Sequence, residues 1–205
     1  MTDKNITDND LANKHKARMQ KLKAKVDSRI DDATDEKGLL IVITGNGKGK
    51  STSGFGTVAR AVGHGLNAAV AQFIKGTWAC GERQLLENAG VKFSVMGTGF
   101  TWNTQDKEKD IAAAKAVWIT CKALLKDPNI DLVLLDEMTY MLSYKYLDLD
   151  EVIEVITSRP KHQHVIITGR ACHKAIIDLA DTVSEVQSIK HAFDNGIKAQ
   201  KGIDW

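Results

Sequence analysis

The stretch from Leu39 to Thr52 constrains the fold more than any other part of this 205-residue chain. It opens with five apolar, mostly branched residues, which is typical of a strand buried on both faces of a parallel sheet. Three glycines then alternate with polar residues, and they let the backbone turn with its N–H groups towards an anion. We predict a phosphate-binding loop made of Gly45, Asn46, Gly47, Lys48, Gly49, Lys50, Ser51 and Thr52.

The loop is a variant of the pattern G-x-x-x-x-G-K-S/T, because Thr44 stands in place of the first glycine. An ordinary strand-to-helix turn is the alternative, but such a turn needs neither three glycines nor a Lys-Ser pair. Lys50 and Ser51 fall where the next helix begins, and the free N–H groups there favour phosphate. We therefore expect Lys50 to act on the phosphates.

A second motif consists of four apolar residues, Leu132 to Leu135, followed by Asp136 and Glu137. In phosphate-loop proteins such a strand places an acid beside the Ser or Thr of the loop, where both hold Mg²⁺ directly or through water. The alternative is a strand that ends in a polar turn. The presence of the phosphate loop favours the metal interpretation, and we predict an Mg²⁺ (or Mn²⁺) site formed by Ser51, Asp136 and Glu137.

Residues 1–37 are rich in Asp, Asn and Lys, contain no glycine and differ in composition from the rest of the chain. The sequence predicts an arm, 1–37, that precedes a nucleotide-binding domain, 38–205. Thr7 and Asp10 suggest a helix start. One stripe of an amphipathic helix recurs at intervals of three or four residues: Leu11, His15, Met19, Leu22, Val26 and Ile30. Its cationic run is either a solvated face or a binding surface, and a helix this polar needs its own domain, a second subunit or a ligand to order it.

Strands and helices alternate after the loop. Strands are expected at 68–74, 91–96, 165–168 and, at a sheet edge, 182–189. Helices are expected at 51–64, 106–126, 148–159 and 175–180, together with a short helix that ends at Asn88. This predicts an α/β fold of the phosphate-loop NTPase (RecA-like) kind, with a mainly parallel sheet, helices on both faces and the helical arm. Three glycines in the first of these helices, Gly54, Gly56 and Gly63, suggest close approach to the sheet.

Ligands of parallel α/β sheets bind beyond the carboxyl ends of the strands. The segments that directly follow a predicted strand should therefore line one crevice. Besides the phosphate loop these are Thr77-Trp78, Phe100 to Trp102, Asp136-Glu137 and Gly169-Arg170, where Arg170 is expected to meet an anion.

Composition excludes several classes of protein. The net charge of +2 gives no reason to expect nucleic acid or an acidic membrane as partner. The three cysteines are widely separated, which predicts reduced thiols in a cytoplasmic protein. No apolar run approaches the ~18 residues of a membrane span. His162, His164 and the Cys172-His173 pair lack further metal ligands at a recognised spacing, and structural roles are expected for them.

Taken together, the motifs resemble the CobA/BtuR-type ATP:corrinoid adenosyltransferases over nearly the whole chain. The arm segment from His15 to Asp27 is similar to the N-terminal helix of that family. The other matching motifs are Thr44-Gly-Asn-Gly-Lys-Gly-Lys-Ser-Thr52, Ala59-Arg-Ala-Val-Gly-His-Gly65, Phe73-Ile-Lys-Gly-Thr-Trp78, Gly81-Glu-Arg83, Gly99-Phe-Thr-Trp102, Leu135-Asp-Glu-Met-Thr-Tyr140, Thr168-Gly-Arg170 and Lys198-Ala-Gln-Lys-Gly-Ile-Asp-Trp205. The family commonly carries Thr where this chain has Ser51, and a hydroxyl group is retained.

The resemblance implies a reaction in which the Co(I) centre of a corrinoid such as cobalamin attacks the 5′ carbon of ATP and tripolyphosphate leaves. It implies that Lys50 stabilises the leaving group, that no general base is needed, and that ATP lies reversed, with its γ-phosphate where related enzymes hold the β-phosphate. Phe100 and Trp102 match residues that close the lower face of the corrin and ease reduction of Co(II) by a flavin-type donor (flavodoxin or reduced flavin). It also implies a homodimer and an N-terminal helix that covers the corrinoid site.

Two alternatives remain from the residues alone. A phosphate-loop kinase of a small metabolite is one, although such enzymes carry an arginine-bearing lid and the six arginines of this chain form no cluster. A nucleotide-binding module without catalytic activity, with its basic arm on nucleic acid, is the other, and strong salt dependence of nucleic-acid binding would support it.

Overall fold

A computed structural model describes residues 8–74, 80–97 and 106–204 of the chain. The chain divides into two units, Met1–Glu36 and Lys37–Trp205. The first unit contains helix α1, Asp8–Asp32, which confirms the predicted helix; Thr7 lies outside the described residues. Asp8 and Asp10 lie in its first turn and Arg29 in its last, which complements the helix dipole. None of its residues is buried within the unit, and the apolar stripe is exposed along its length.

The second unit is an α/β domain whose described residues form one six-stranded sheet in which every strand pair is parallel. The strands are β1 Leu40–Thr44, β2 Ala68–Gln72, β3 Lys92–Val95, β4 Leu132–Asp136, β5 His164–Thr168 and β6 Thr182–Glu185, in the order β3-β2-β4-β5-β1-β6. The helices are α2 Lys50–Gly63, α3 Gly81–Asn88, α4 Lys107–Leu124, α5 Met138–Ser143, α6 Leu149–Thr157 and α7 Lys174–Leu179. The predicted fold class is confirmed, and β6 lies at an edge as expected.

The order of the strands places β5 between β1, which leads into the phosphate loop, and β4, which ends in the carboxylates. The loop and the carboxylate pair are therefore not on neighbouring strands. Whatever follows β5 lies between them at the carboxyl edge of the sheet, where ligands of parallel sheets bind.

Alternate residues of each central strand enter two separate cores, one on each face of the sheet. Leu132 and Leu134 of β4 pack with α2 and α3, in a core that also contains Phe55, Val58 and Leu86. Val133 and Leu135 pack on the opposite face, where α4, α5, α6 and α7 contribute Trp118, Cys121, Met138, Met141, Ile156 and Ile176. Both faces are thus covered, which explains why the strand sequences are almost continuously apolar.

The sequence prediction missed one α-helix, α5, which begins directly after the carboxylates at the end of β4. It also made β6 too long, since this strand ends at Glu185. Asp148 is the cap of α6: its carboxylate accepts a hydrogen bond of 2.9 Å from the N–H of Glu151.

The glycines of α2 have different environments. A Cβ atom on Gly54 would lie 2.9 Å from Leu134 Cδ1 and 3.2 Å from Thr168 Cγ2, so this glycine does mark close approach to the sheet. A Cβ on Gly56 or Gly63 would meet no atom within 4 Å. The same interpretation is therefore wrong for these two positions, which lie away from the sheet.

Candidate nucleotide site

The phosphate loop follows β1 and is shaped by the segment that follows β6. A Cβ on Gly45 would lie 2.5 Å from the carbonyl oxygen of Val186, and one on Gly47 would lie 2.5 Å from that of Gln187. Gly49 is required for a different reason, since its φ of 117° is one that L-residues rarely adopt. Two of the glycines thus allow backbone contact and the third allows the turn into α2.

The N–H of Gly47 donates a 2.7 Å hydrogen bond to Val186 O. This differs from the expectation that the glycine N–H groups of the loop all face an anion. The sequence could not reveal the difference, because the acceptor lies more than 100 residues along the chain, directly after a strand whose neighbour is known only from the fold. The remaining anion donors are expected at the first turn of α2.

Lys50 begins α2 and is 6% exposed. Its ammonium group is folded back over the loop and donates a 2.8 Å hydrogen bond to Gly47 O. Burial is the main cause that lowers the pKa of Lys50; the charge of Glu137 opposes the shift, that of Arg170 adds to it and that of Asp136 opposes it. A buried cation with a single described hydrogen bond is suited to receive a negatively charged ligand.

A cavity of about 210 Å³ opens beside the loop. The loop residues 46–52 line it together with Glu137 and Arg170, so these predicted site residues are brought together. The sequence prediction did not assign four further lining residues to the site: Glu82, His191, Ile203 and Asp204. Glu82, Ile203 and Asp204 lie in segments that carry the family resemblance. This resemblance was the one feature of the sequence that could have indicated a role for them in the site.

Asp136 and Glu137 have different roles in the structure. The carboxylate of Asp136 is fully buried and is not among the residues that line the cavity. It accepts hydrogen bonds from the hydroxyl of Thr168 at 2.7 Å and from Gln72 Nε2 at 3.3 Å. Glu137 follows with a φ of 60° and lines the cavity. Glu137, and not Asp136, is thus the carboxylate that faces the loop.

The residues present fit an Mg²⁺ ion that is held partly by phosphate. The half-buried Ser51 and the Glu137 side chain line the same cavity, and hydroxyl and carboxylate oxygens are ligands that Mg²⁺ prefers. No cluster of three or more His, Cys, Asp or Glu side chains suited to a metal ion occurs in the described parts of the chain. Mg²⁺ commonly binds through one or two protein oxygens plus substrate phosphates, which matches this donor set.

Gly169 directs Arg170 into the cavity region. A side chain at Gly169, whose φ is 137°, would overlap the hydroxyl of Thr139, so the chain can turn here only at a glycine. Arg170 follows and lines the cavity together with the loop. Arg170 is therefore suitably located to contact an anion in the cavity, and this contact stays a prediction.

Other singled-out residues lie elsewhere. Phe100, Trp102 and Thr77-Trp78 fall outside the described residues. His164 Nδ1 accepts a 3.0 Å hydrogen bond from the N–H of Leu39, and His173 Nδ1 accepts one of 3.2 Å from the N–H of Ala175 at the start of α7. Cys80, Cys121 and Cys172, which all lie in the described residues, form no disulfide bond, and no described helix is long and apolar enough to cross a membrane.

The described sheet is parallel and carries a glycine-rich loop before a helix, and β5 separates the loop strand β1 from the carboxylate strand β4. These features define the class of phosphate-loop nucleotide-binding proteins. Sequence comparison then identifies the family. Residues 36–205 match ATP:corrinoid adenosyltransferase BtuR/CobO/CobP, and residues 1–30 match the family described as Cob(I)alamin adenosyltransferase N terminal. The chain belongs to the ATP:corrinoid adenosyltransferase family, which confirms the resemblance seen in its motifs, and is a transferase enzyme.

Several characterised relatives cover almost the whole chain. Corrinoid adenosyltransferase CobA of Salmonella typhimurium is 60% identical over 192 residues, which cover 94% of this chain and 98% of that protein. The corrinoid adenosyltransferase of Escherichia coli K12 is 58% identical with the same coverage. That of Pseudomonas aeruginosa is 50% identical over 194 residues, with 94% and 96% covered.

Proposed function

We propose that this chain transfers the 5′-deoxyadenosyl group of ATP to the Co(I) centre of a corrinoid and releases tripolyphosphate, in the formation or salvage of an adenosylated corrinoid. The electron pair of Co(I) forms the cobalt–carbon bond, the bond between C5′ and its oxygen breaks, and that oxygen leaves with the triphosphate. The observation that carries the proposal is the cavity lined by Lys50, Arg170 and Glu137 in a member of this family.

The chain's own contribution to this reaction is electrostatic. Negative charge grows on the triphosphate as C5′ is transferred, and the Lys50 ammonium, the Arg170 guanidinium and the N–H groups at the start of α2 would stabilise it. Because Lys50 is buried and its ammonium group is already hydrogen-bonded to Gly47 O, this cation needs little reorganisation in the transition state. No side chain is asked to remove a proton, since the nucleophile brings its own electron pair.

Mg²⁺ is part of the proposal. Ser51 and Glu137 would hold the ion. Asp136 would act indirectly, because its hydrogen bonds fix the end of β4, which Glu137 directly follows. When bound, the ion supplies positive charge to the phosphate oxygens of the leaving group. The role of Glu137 is then to present one carboxylate oxygen to the ion and to balance the cations of the loop.

The corrinoid site, the oligomer and the electron donor are proposed from the family resemblance. We expect Phe100 and Trp102 to face the corrin, α1 with its exposed apolar stripe to cover it, and two chains to associate. A reduced flavin or flavodoxin is the proposed source of the electron that converts Co(II) to Co(I). A cytoplasmic location is also proposed, in keeping with the absence of disulfide bonds among the three described cysteines.

Product analysis tests the function. Incubation with ATP, Mg²⁺ and a chemically reduced corrinoid is expected to give an adenosylated corrinoid, seen by its absorption spectrum, and tripolyphosphate in equal amounts. Formation of ADP with a phosphorylated small metabolite would instead establish a kinase. Nucleotide binding without any product would establish a binding module.

A further inference from the structure

We propose that Thr168 is a positioning residue, whose hydroxyl group orients the Asp136-Glu137 pair so that Glu137 is presented to the phosphate cavity. The inference rests on the proposed role of Glu137 as the carboxylate that meets Mg²⁺. Thr168 itself does not line the cavity, so it acts through its neighbours and not on the substrate.

The location of Thr168 in the sheet makes this role possible. It is the last residue of β5, the strand between the phosphate-loop strand and the carboxylate strand, and it is fully buried. Its backbone pairs with Ile43 of β1. Its methyl group lies near Gly54 of α2, where a Cβ atom would come within 3.2 Å of it. Thr168 therefore contacts the elements on both sides of the cavity.

The hydroxyl group of Thr168 makes two hydrogen bonds of fixed direction. It donates to Asp136 Oδ1 at 2.7 Å and accepts from the N–H of Glu137 at 3.0 Å. The other carboxylate oxygen of Asp136 accepts from Gln72 Nε2 of β2 at 3.3 Å. Because β2 and β5 flank β4, the buried Asp136 is held from both neighbouring strands and serves as an anchor for the residue that follows it.

Glu137 needs such an anchor, because its φ of 60° is rarely adopted by a residue with a side chain. Conformations of this kind persist where surrounding bonds hold them. The bond from its N–H to Thr168 is one of these, and it forms at the turn that sends the side chain into the cavity. Loss of the hydroxyl would leave the packing of β5 in place and free this turn to relax.

The test compares Thr168→Val, which keeps the shape and removes the hydroxyl, with Thr168→Ser, which restores it. ATP binding is measured by calorimetry on the full chain, with Mg²⁺ and with a chelator. We expect Thr168→Val to bind metal-free ATP as the unmodified chain does and to lose about tenfold or more of the tightening by Mg²⁺, as supporting residues of metal sites do. Thr168→Ser should retain the response to Mg²⁺.

Thr157→Val is the matched control, because the Thr157 hydroxyl bonds only to carbonyl oxygens of its own helix in the described structure. Thermal unfolding shows whether each variant is folded at the temperature of the binding experiment, and Thr168→Ala replaces Thr168→Val if the latter does not fold. A folded Thr168→Val with the normal Mg²⁺ response overturns the proposal. So does an equal defect in Thr168→Ser, which would make packing the cause.

Adenosyl transfer gives a second measurement. Thr168→Val should lower kcat, leave KM for the corrinoid unchanged and regain part of the rate at high Mg²⁺. Absence of corrinoid product from the unmodified chain would refute the proposed function, whereas the binding experiment would still decide the role of Thr168.

Discussion

The ammonium nitrogen of Lys48 lies 2.7 Å from a carboxylate oxygen of Asp204, and both side chains belong to residues that line the phosphate cavity. The second oxygen of Asp204 accepts a 2.8 Å hydrogen bond from the N–H of Gln200. The hydrogen bond from Lys48 is the main cause that lowers the pKa of Asp204, and that from Gln200 adds to it. The carboxylate of Asp204 is thus an anion that the chain itself supplies, beside the place proposed for the triphosphate.

Asp204→Asn should therefore strengthen ATP binding, because the triphosphate no longer competes with a carboxylate for Lys48. The ion pair is exposed to solvent and screened by salt, so the expected gain is small, no more than about fivefold, and should shrink as salt rises. Calorimetry measures it. Asp178→Asn, which removes the exposed pair with Lys174, is the control and should have no effect. Weaker binding by Asp204→Asn would mean that Asp204 supports the nucleotide and does not compete with it.

Lys50→Met should abolish the stabilisation by ATP while leaving the ligand-free chain as stable as before or more so. Burial lowers the pKa of Lys50, so the charged form is disfavoured in the folded state and, below the folded pKa, this penalty is fully present. Methionine has a similar length and needs no hydration. Thermal unfolding with and without MgATP measures both effects, with Lys174→Met as an exposed control. A large loss of ligand-free stability would contradict the prediction.

Gly54 and Gly56 offer a matched pair within one helix. Gly56→Ala should stabilise the chain by up to about 1 kcal/mol, because alanine is the better helix former and a Cβ there meets no atom within 4 Å. Gly54→Ala should destabilise it by roughly 1–3 kcal/mol, since its Cβ would press on Leu134 and Thr168. Denaturant unfolding separates the two. Equal effects at both positions would contradict the conclusion that only Gly54 lies in close contact with the sheet.

Phe100→Ala and Trp102→Ala test the proposed corrin-facing aromatics. Each should slow adenosylation that starts from Co(II) with a flavin reductant more than adenosylation of chemically prereduced Co(I), because closing the lower face of the corrin is expected to ease the reduction of Co(II) only. Phe193→Ala, at an exposed aromatic of the second unit, is the control. Equal losses in the two assays would remove both residues from the reduction step.

The thiols give a prediction about pH. Burial raises the pKa of Cys121 to about 12 and that of Cys172 to about 11. The reactive thiolate is therefore suppressed near neutral pH, by about a hundredfold for Cys172 compared with an ordinary thiol. Iodoacetamide should modify both slowly in the native chain, faster as the pH rises, and rapidly in denaturant, as mass spectrometry would show. Rapid native modification of Cys172 would contradict its burial.

The sequence predicted those parts of the site that are local. The strand, loop and helix around Lys50 and the strand that ends at Asp136 follow from residue types within one segment, and the structure contains each of them. The sequence could not predict that Asp136 is buried while Glu137 lines the cavity. This difference depends on the hydrogen bonds of Asp136 with Thr168 and Gln72, which belong to the two flanking strands. The tail residues that line the cavity were missed for a similar reason: nothing in their own segment indicates a phosphate.

The backbone contact between Gly47 and Val186 bears on how such a loop can be transplanted. The phosphate-loop motif, residues 44–52, is continuous in sequence, but Glu185 of β6 and the two residues after it supply the surface that Gly45 and Gly47 of the loop contact. If residues 44–52 alone were grafted into another parallel sheet, they would lack the backbone contacts with residues 185–187. The segment to transfer is therefore discontinuous in sequence and comprises the loop together with residues 182–187.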